Sequence, residues 1–359
     1  MPFGGIFENV VAFLAVLMPV VFFHELGHYW VARKSGVIVD VFSIGFGPVL
    51  ASWRDKAGTK WQIAAIPLGG YVKMKGDINA VSQAGADAQK HDGSFAGASL
   101  GQRFLIVLAG PVANFILAVF LFAGVYMVSG KAFIPAEIGA VNDGSAAASA
   151  GLKEGDIVRS IDGSNISDFA DMRQIVMQSA DIPLAFDIDR NGRLLSKTVT
   201  PEGVYVEQLG TTVGRLGIIS AGGEFRRLGL TESLFEGGRD VVRTINAMGA
   251  GIIKLFSGNA SMDELGGPVR IAEFSGDAAR QGIISFVMFT ALISINLGIV
   301  NLLPIPALDG GHLAFFFYEA IAGRPLPLAA QAMLMRIGMS LLLTLMVVVM
   351  FFDVNRLIG

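Results

Sequence analysis

Cysteine is absent from these 359 residues. That excludes disulfides, thiolate metal ligands and a cysteine nucleophile, and it leaves the redox compartment open. Charge is scarce as well, at 16% of residues against 53% hydrophobic. No basic stripe runs along the chain and the formal net charge is −3, so nucleic acid is not an expected partner. The N-terminus lacks a basic region and an A-x-A site, and is therefore not read as a cleavable signal. Histidine occurs only four times, so any clustering of histidines carries weight. What is abundant is apolar: a mean hydropathy of +0.59 lies far from an ordinary soluble domain. The length allows two or three domains.

Hydropathy predicts four membrane spans, at about 6–30, 104–128, 283–303 and 331–352. The first span opens a segment 1–36. The third segment is taken as 283–312, its apolar run stopping at Pro304 and Pro306. Arg336 near the start of the fourth is expected to snorkel to an interface. No Lys or Arg precedes the first span, whereas Arg33, Lys34, Arg54, Lys56, Lys60, Lys73, Lys75, Lys90 and Arg103 follow it. The positive-inside rule then puts 31–103 in the cytoplasm and both termini outside. By alternation 129–282 lies outside and 304–330 inside.

The first span carries His24-Glu25-Leu26-Gly27-His28. On a helix, residues four apart share a face, so His24 and His28 offer two imidazoles to one metal. Glu25 beside them is free to act as a base, which is the zinc-protease pattern H-E-x-x-H. Ionisable groups inside a span are costly and are presumed functional. The bland alternative is a pair of satisfied core histidines, weakened by two of four histidines falling here.

Between the first two spans, 37–76 is β-rich. Val37–Ser43, Trp61–Ala65 and Tyr71–Met74 read as short strands, with Gly45-Phe46-Gly47-Pro48 breaking the first. Such a sheet beside a membrane site offers an edge to which an extended substrate can add. The other reading is a small hairpin packed beneath the helices. Residues 77–103 form a cytoplasmic connection, polar and small over 77–99, in which His91 is an exposed bystander. Outside, residues 132–222 contain strands over Ile157–Ile161, Leu184–Asp189 and Leu195–Thr200, tight turns at Asp162-Gly163 and Asn191-Gly192, and a short helix over Asp168–Met177. This stretch resembles a PDZ domain of the circularly permuted kind found in bacterial proteases. Such domains capture extended peptide, and a plug without a groove is the alternative. Residues 224–270 read as amphipathic helix on the outer membrane surface.

A catalytic zinc takes three protein ligands and keeps one open position. Two histidines leave the set one short. Asn301-Leu302-Leu303-Pro304-Ile305-Pro306-Ala307-Leu308-Asp309-Gly310-Gly311 supplies a carboxylate at a broken helix end, on the same cytoplasmic side. On its own Asp309 reads as a helix cap. Beside the histidine pair it reads as the third ligand. His312 is taken as an interfacial histidine.

Together H-E-L-G-H, G-F-G, Gly110-Pro111-Val112-Ala113-Asn114-Phe115 and N-L-L-P-I-P-A-L-D-G-G resemble the site-2 protease family of intramembrane zinc metalloproteases, in its bacterial regulator-of-sigma-E protease (RseP) branch. The resemblance covers essentially the whole chain. It implies a multi-span α-helical membrane protein with four transmembrane helices, a membrane-associated β-region and one α+β PDZ domain. It implies one Zn2+ per chain held by His24, His28 and Asp309, with Glu25 as acid/base. Asn114, Asn301, Gly45, Phe46 and Gly47 are matched to substrate-positioning places, and 37–75 to the membrane-reentrant β-region. Expected partners are the lipid bilayer and single-span membrane proteins, an anti-sigma factor or remnant signal peptides among them. The expected location is the bacterial inner membrane, with the termini and PDZ domain periplasmic. One departure is that the branch often carries two tandem PDZ domains, and sequence for only one is found. Two other readings remain. One is a membrane-anchored zinc protease cutting juxtamembrane or soluble peptides, and the other is a non-enzymatic PDZ scaffold.

Overall fold

The computed structural model describes residues 3–76, 92–206, 211–256 and 267–358. The stretch 77–91, with His91, and the stretch 257–266 lie outside the described residues, and with them parts of the 77–103 and 224–270 segments. The chain divides into two compact units: Met1–Val125 with Leu230–Ala250 and Met262–Gly359, and Tyr126–Gly229 with Gly251–Ser261.

Four helices of the first unit are long and apolar enough to cross a membrane: α1 (Phe3–Lys34), α2 (Leu100–Ser129), α7 (Ile283–Leu302) and α9 (Leu328–Ile358). Their closest approach is set by glycine. A Cβ on Gly27 of α1 would run into the carbonyl oxygen of Ala109 and lie 2.8 Å from its carbon. No residue with a side chain allows α1 and α2 to meet there.

Between them, β1 (Val39–Arg54) and β2 (Lys60–Met74) form one curled antiparallel pair. Each strand folds back on the other. Val41–Ile44 take partners on both sides, Lys60–Ile63 on one and Gly70–Lys73 on the other, while Val49–Arg54 pair with Lys60–Ala64. The Gly45–Pro48 stretch therefore does not end the strand, as the sequence suggested. Gly45 (φ +89°) and Gly47 (φ +86°) bend it instead, because glycine enters the left-handed region while pairing resumes beyond. The sheet docks on α1 through Phe42, which is fully buried among Phe22, Tyr29 and Trp61.

The third apolar segment is not one helix to residue 312. α7 stops at Leu302, because Leu303 precedes Pro304 and is held extended (φ −62°, ψ 140°). After a turn with Ala307 at φ +86°, α8 (Asp309–Ala322) begins. In the 224–270 region, α5 (Leu230–Phe256) is amphipathic and rests Gly237 on the Val119 carbonyl of α2. A further helix, α6 (Pro268–Arg280), packs on α1, where Gly276 leaves room for Asn9. Its first amides are capped from α9: Asp353 accepts from Gly267, Val269 and Arg270 N–H at 3.3, 3.2 and 3.3 Å.

The second unit is an α+β module. It holds β3 (Lys131–Phe133), β4 (Ile138–Val141), α3 (Ala146–Ser149), β5 (Ile157–Ile161), β6 (Ser164–Asn165), α4 (Phe169–Gln178), β7 (Leu184–Arg190) and β8 (Arg193–Val199). β9 (Glu202–Val206), β10 (Thr211–Arg215), β11 (Ile218–Ser220) and β12 (Glu224–Arg226) follow. The main sheet runs β6-β5-β7-β8, with pairs β4–β11, β9–β10 and β3–β12 beside it. Asp162-Gly163 and Asn191-Gly192 make two-residue turns with both residues at positive φ, the type I′ geometry that suits strand twist. Asp168 caps α4 by accepting from Asp171 N–H at 2.8 Å. Phe186, Ile161, Ile188, Ile138 and Met172 are buried in the core. Asp156 is buried too, bound by Arg190 at 2.6 and 2.7 Å.

Candidate metal centre

His24 and His28 are four residues apart on α1, and their rings stand edge to face at 4.8 Å between centroids. Both residues are buried. Their Nε2 atoms lie 3.2 Å apart. α8 brings Asp309 against them, with Oδ2 3.1 Å from His24 Nε2 and 3.5 Å from His28 Nε2. Asp309 is the first residue of α8, where the helix dipole favours a carboxylate; the N-cap position itself is Leu308, with no side-chain cap. Among the described residues Asp309 Oδ2 is buried without a hydrogen-bond partner.

The donor set fits zinc. One orphaned carboxylate oxygen and two imidazole nitrogens converge on one point, their ligand atoms all within 4.8 Å of one another. Tetrahedral bonds of about 2.0–2.1 Å place neighbouring ligand atoms roughly 3.3 Å apart. The three separations, 3.1, 3.2 and 3.5 Å, bracket that value.

The ring of His28 is oriented from α2. Its Nδ1 lies 2.8 Å from the carbonyl oxygen of Ile106, which only accepts. Nδ1 therefore donates, and Nε2 turns its lone pair towards Asp309. Gly110, one turn on, makes this possible. A Cβ there would collide with His28 Nε2 and sit 2.5 Å from its Cε1 and 2.8 Å from His24 Cε1.

The two asparagines approach His24 from opposite ends of its ring. Asn114 Nδ2 of α2 is 3.3 Å from Nδ1, and Asn301 Nδ2 of α7 is 3.4 Å from Nε2. Asn301 is thus on the ligand side and Asn114 behind it. Glu25 is part-buried on the α1 face that meets the sheet. A Cβ on Gly70 of β2 would sit 3.0 Å from Glu25 Cγ, so the strand backbone packs closely against this side chain. Gly45 presses on the carbonyl of Ile66 within the sheet, while Phe46 and Gly47 are exposed in its bend. His312 is not among the converging ligand atoms and stands edge-on to Phe315. The sequence singled out neither Gly70 nor Gly110 for these contacts. The Gly-Gly at 69–70 and the Gly-Pro at 110–111 were the signals present.

Two imidazoles on the membrane-length α1 and a carboxylate at the start of the shorter α8, a set that could hold a metal ion, with a second carboxylate alongside, are the equipment of a membrane metallohydrolase. The particular kind follows from comparison. Residues 12–345 match the model of peptidase family M50, so the chain belongs to this family, the site-2 proteases. A protein of Agrobacterium fabrum is 40% identical over 369 residues, covering 99% of this chain and 98% of its own. Metalloprotease MmpA of Caulobacter vibrioides is 37% identical, covering 98% and 96%. Zinc metalloprotease RasP of Geobacillus kaustophilus is 33% identical, covering 97% and 98%. The chain is accordingly a membrane zinc metalloendopeptidase.

Proposed function

We propose that this protease hydrolyses peptide bonds within the transmembrane segments of single-span membrane proteins. The observation that carries this reading is the donor set itself, with both histidines on a helix long enough to cross a membrane, Asp309 just beyond the end of another, and a strand backbone packed against Glu25. His24, His28 and Asp309 hold the zinc. When bound, that ion would supply Lewis acidity and make the attacking water far more acidic.

The chain's own groups do the rest. Glu25 takes the proton of the attacking water and later gives it to the leaving amine. Asn301, on the ligand side of His24, orients the scissile backbone. A substrate helix must unwind before it can be cut, and each backbone group left open in lipid is costly. The curled sheet replaces those hydrogen bonds by strand addition, with Gly70 setting the strand beside Glu25. Gly45 and Gly47 shape the bend, and Phe46 offers an apolar face to the segment being unwound. The module at 132–222 is a PDZ domain that screens substrates by bulk. The basic residues of 31–103 support a cytoplasmic side for that segment, and with it a periplasmic side for the module and both termini in an inner-membrane protein.

The test is cleavage of a single-span substrate in reconstituted membranes, with the cut mapped by mass spectrometry. The cut is expected within the hydrocarbon-spanning stretch, and Asp309→Asn is expected to abolish it while the protein stays folded. Cleavage confined to flanking soluble sequence would overturn the reading in favour of a membrane-anchored protease.

A further inference from the structure

Asn114 is fully buried, on α2, against the ring of His24. Its Oδ1 is buried with no hydrogen-bond partner among the described residues. A buried acceptor left without a donor is costly. The neighbouring polar atom is His24 Nδ1, 3.3 Å from the other end of the same amide. With the amide nitrogen facing it, Nδ1 must accept, and the ring hydrogen then sits on Nε2, pointing at His28 and Asp309. A ring in that tautomer has no lone pair for a metal. A half-turn of the amide reverses the pair: Oδ1 gains a donor in Nδ1–H, and Nε2 is freed.

We infer that Asn114 is the positioning residue for His24, its Oδ1 accepting from Nδ1–H and so committing Nε2 to the metal. The arrangement mirrors His28, whose Nδ1 faces the Ile106 carbonyl at 2.8 Å. Both rings are then oriented by oxygens of α2, one from the backbone and one from a side chain. The position of the helix backbone at Asn114 is itself fixed, since Ser294 of α7 donates its hydroxyl to the Asn114 carbonyl at 2.8 Å. Asn114 lies behind the ligand rather than beside the open position, so it orients the metal site and does not touch substrate.

This inference rests on the zinc site proposed above, and the experiment separates the two. Zinc affinity is measured on the purified full chain by competition with a chelator, for wild type, Asn114→Leu and Asn114→Asp. Wild type that holds no zinc would overturn the site itself. With zinc bound to wild type, Asn114→Leu, similar in volume but without an acceptor, should weaken affinity by roughly 10–100-fold. Asn114→Asp, a pure acceptor, should keep wild-type affinity or exceed it. With zinc saturating, neither variant should change KM. Unchanged affinity in Asn114→Leu, weakened affinity in both variants, or a rise in KM alone each overturns the inference. Should the leucine variant fail to fold, Asn114→Asp still decides, because weakened binding in that variant is incompatible with an accepting role.

Discussion

Glu25 differs from its neighbours in reaching no point of the ligand cluster, so its proposed role and theirs come apart in experiment. Glu25→Gln keeps the shape and loses the base. It should retain one zinc per chain by metal analysis while turnover falls by about 10²–10⁴-fold, the range of general acid–base catalysis. Loss of zinc in this variant would reassign Glu25 as a ligand. Gly110 makes a second prediction at this scale. An added methyl would press on both imidazoles, and overpacking of this kind costs about 1–3 kcal/mol. Gly110→Ala should therefore weaken zinc roughly 5–150-fold. Gly124→Ala, on the same helix with nothing within 4 Å, should leave zinc untouched. The histidine pair was legible because a spacing of four fixes a shared helix face whatever surrounds it. Asp309 was legible only as a complement to that pair, since its approach depends on a turn no periodicity describes. Gly27, Gly70 and Gly110 were not legible as contacts, because a glycine's role lies in what passes through the space its side chain leaves empty.

Elements meet through a few polar contacts whose removal can be read separately from the chemistry. The turn joining β1 to β2 is tied to α1 by Asp55, which accepts from Tyr29 O–H at 2.8 Å and Trp61 Nε1–H at 3.0 Å. The same carboxylate holds its own turn through Ala57 and Thr59 N–H. Tyr29 is four residues from Glu25, so one helix face carries the acid and the anchor of the sheet packed against it. Tyr29→Phe and Asp55→Ala should each raise KM several-fold without loss of zinc, and the double variant should be no worse than the poorer single one. Strict additivity would mean that the two act independently. In the other unit, burial pushes the Asp156 carboxyl up, but the Arg190 guanidinium and the Lys153 amide outweigh it and hold the group below its usual range. A carboxylate with a depressed pKa stabilises the fold above its unfolded pKa, and that contribution is lost as pH falls through the folded value. Amide protection of β5 and β7, followed by hydrogen exchange in the full chain, should hold near neutrality and fall below about pH 4. Asp156→Ala should lower it at pH 7 by about 1.5–3 kcal/mol, since Arg190, partly exposed, would lose the carboxylate and keep only the Gly151 carbonyl. β5, β7 and β8 were legible from alternation and turn residues, and β2 was legible as two pieces, Trp61–Ala65 and Tyr71–Met74, of what is one strand; β3, β4, β6 and β9 to β12, each five residues or fewer, were not. The continuity of β1 through Gly45–Pro48 was not, because glycine and proline signal a break equally well when they make a bend.

At the scale of the whole chain the apolar runs fixed the spanning helices, since twenty or so apolar residues admit few other fates. α6 was missed because its helical face is polar to the eye and its N-terminus is capped from α9 rather than by its own sequence. The division into two units bears on regulation. Among the described residues, the three of the candidate ligand set belong to the first unit. Under the reading proposed above, the module governs access rather than chemistry. If it screens by bulk, a substrate with a large outer domain should be refused while its trimmed stump is cut. Replacing 132–222 by a flexible linker should then let both be cut, the ratio of the two rates moving towards one. A module that instead delivers peptide to the site makes the opposite demand, because the stump would lose its guide. Measuring both substrates against both enzymes in reconstituted membranes separates the cases. Collapse of stump cleavage in the deletion variant, with the untrimmed substrate still intact, would show that the module recruits rather than filters.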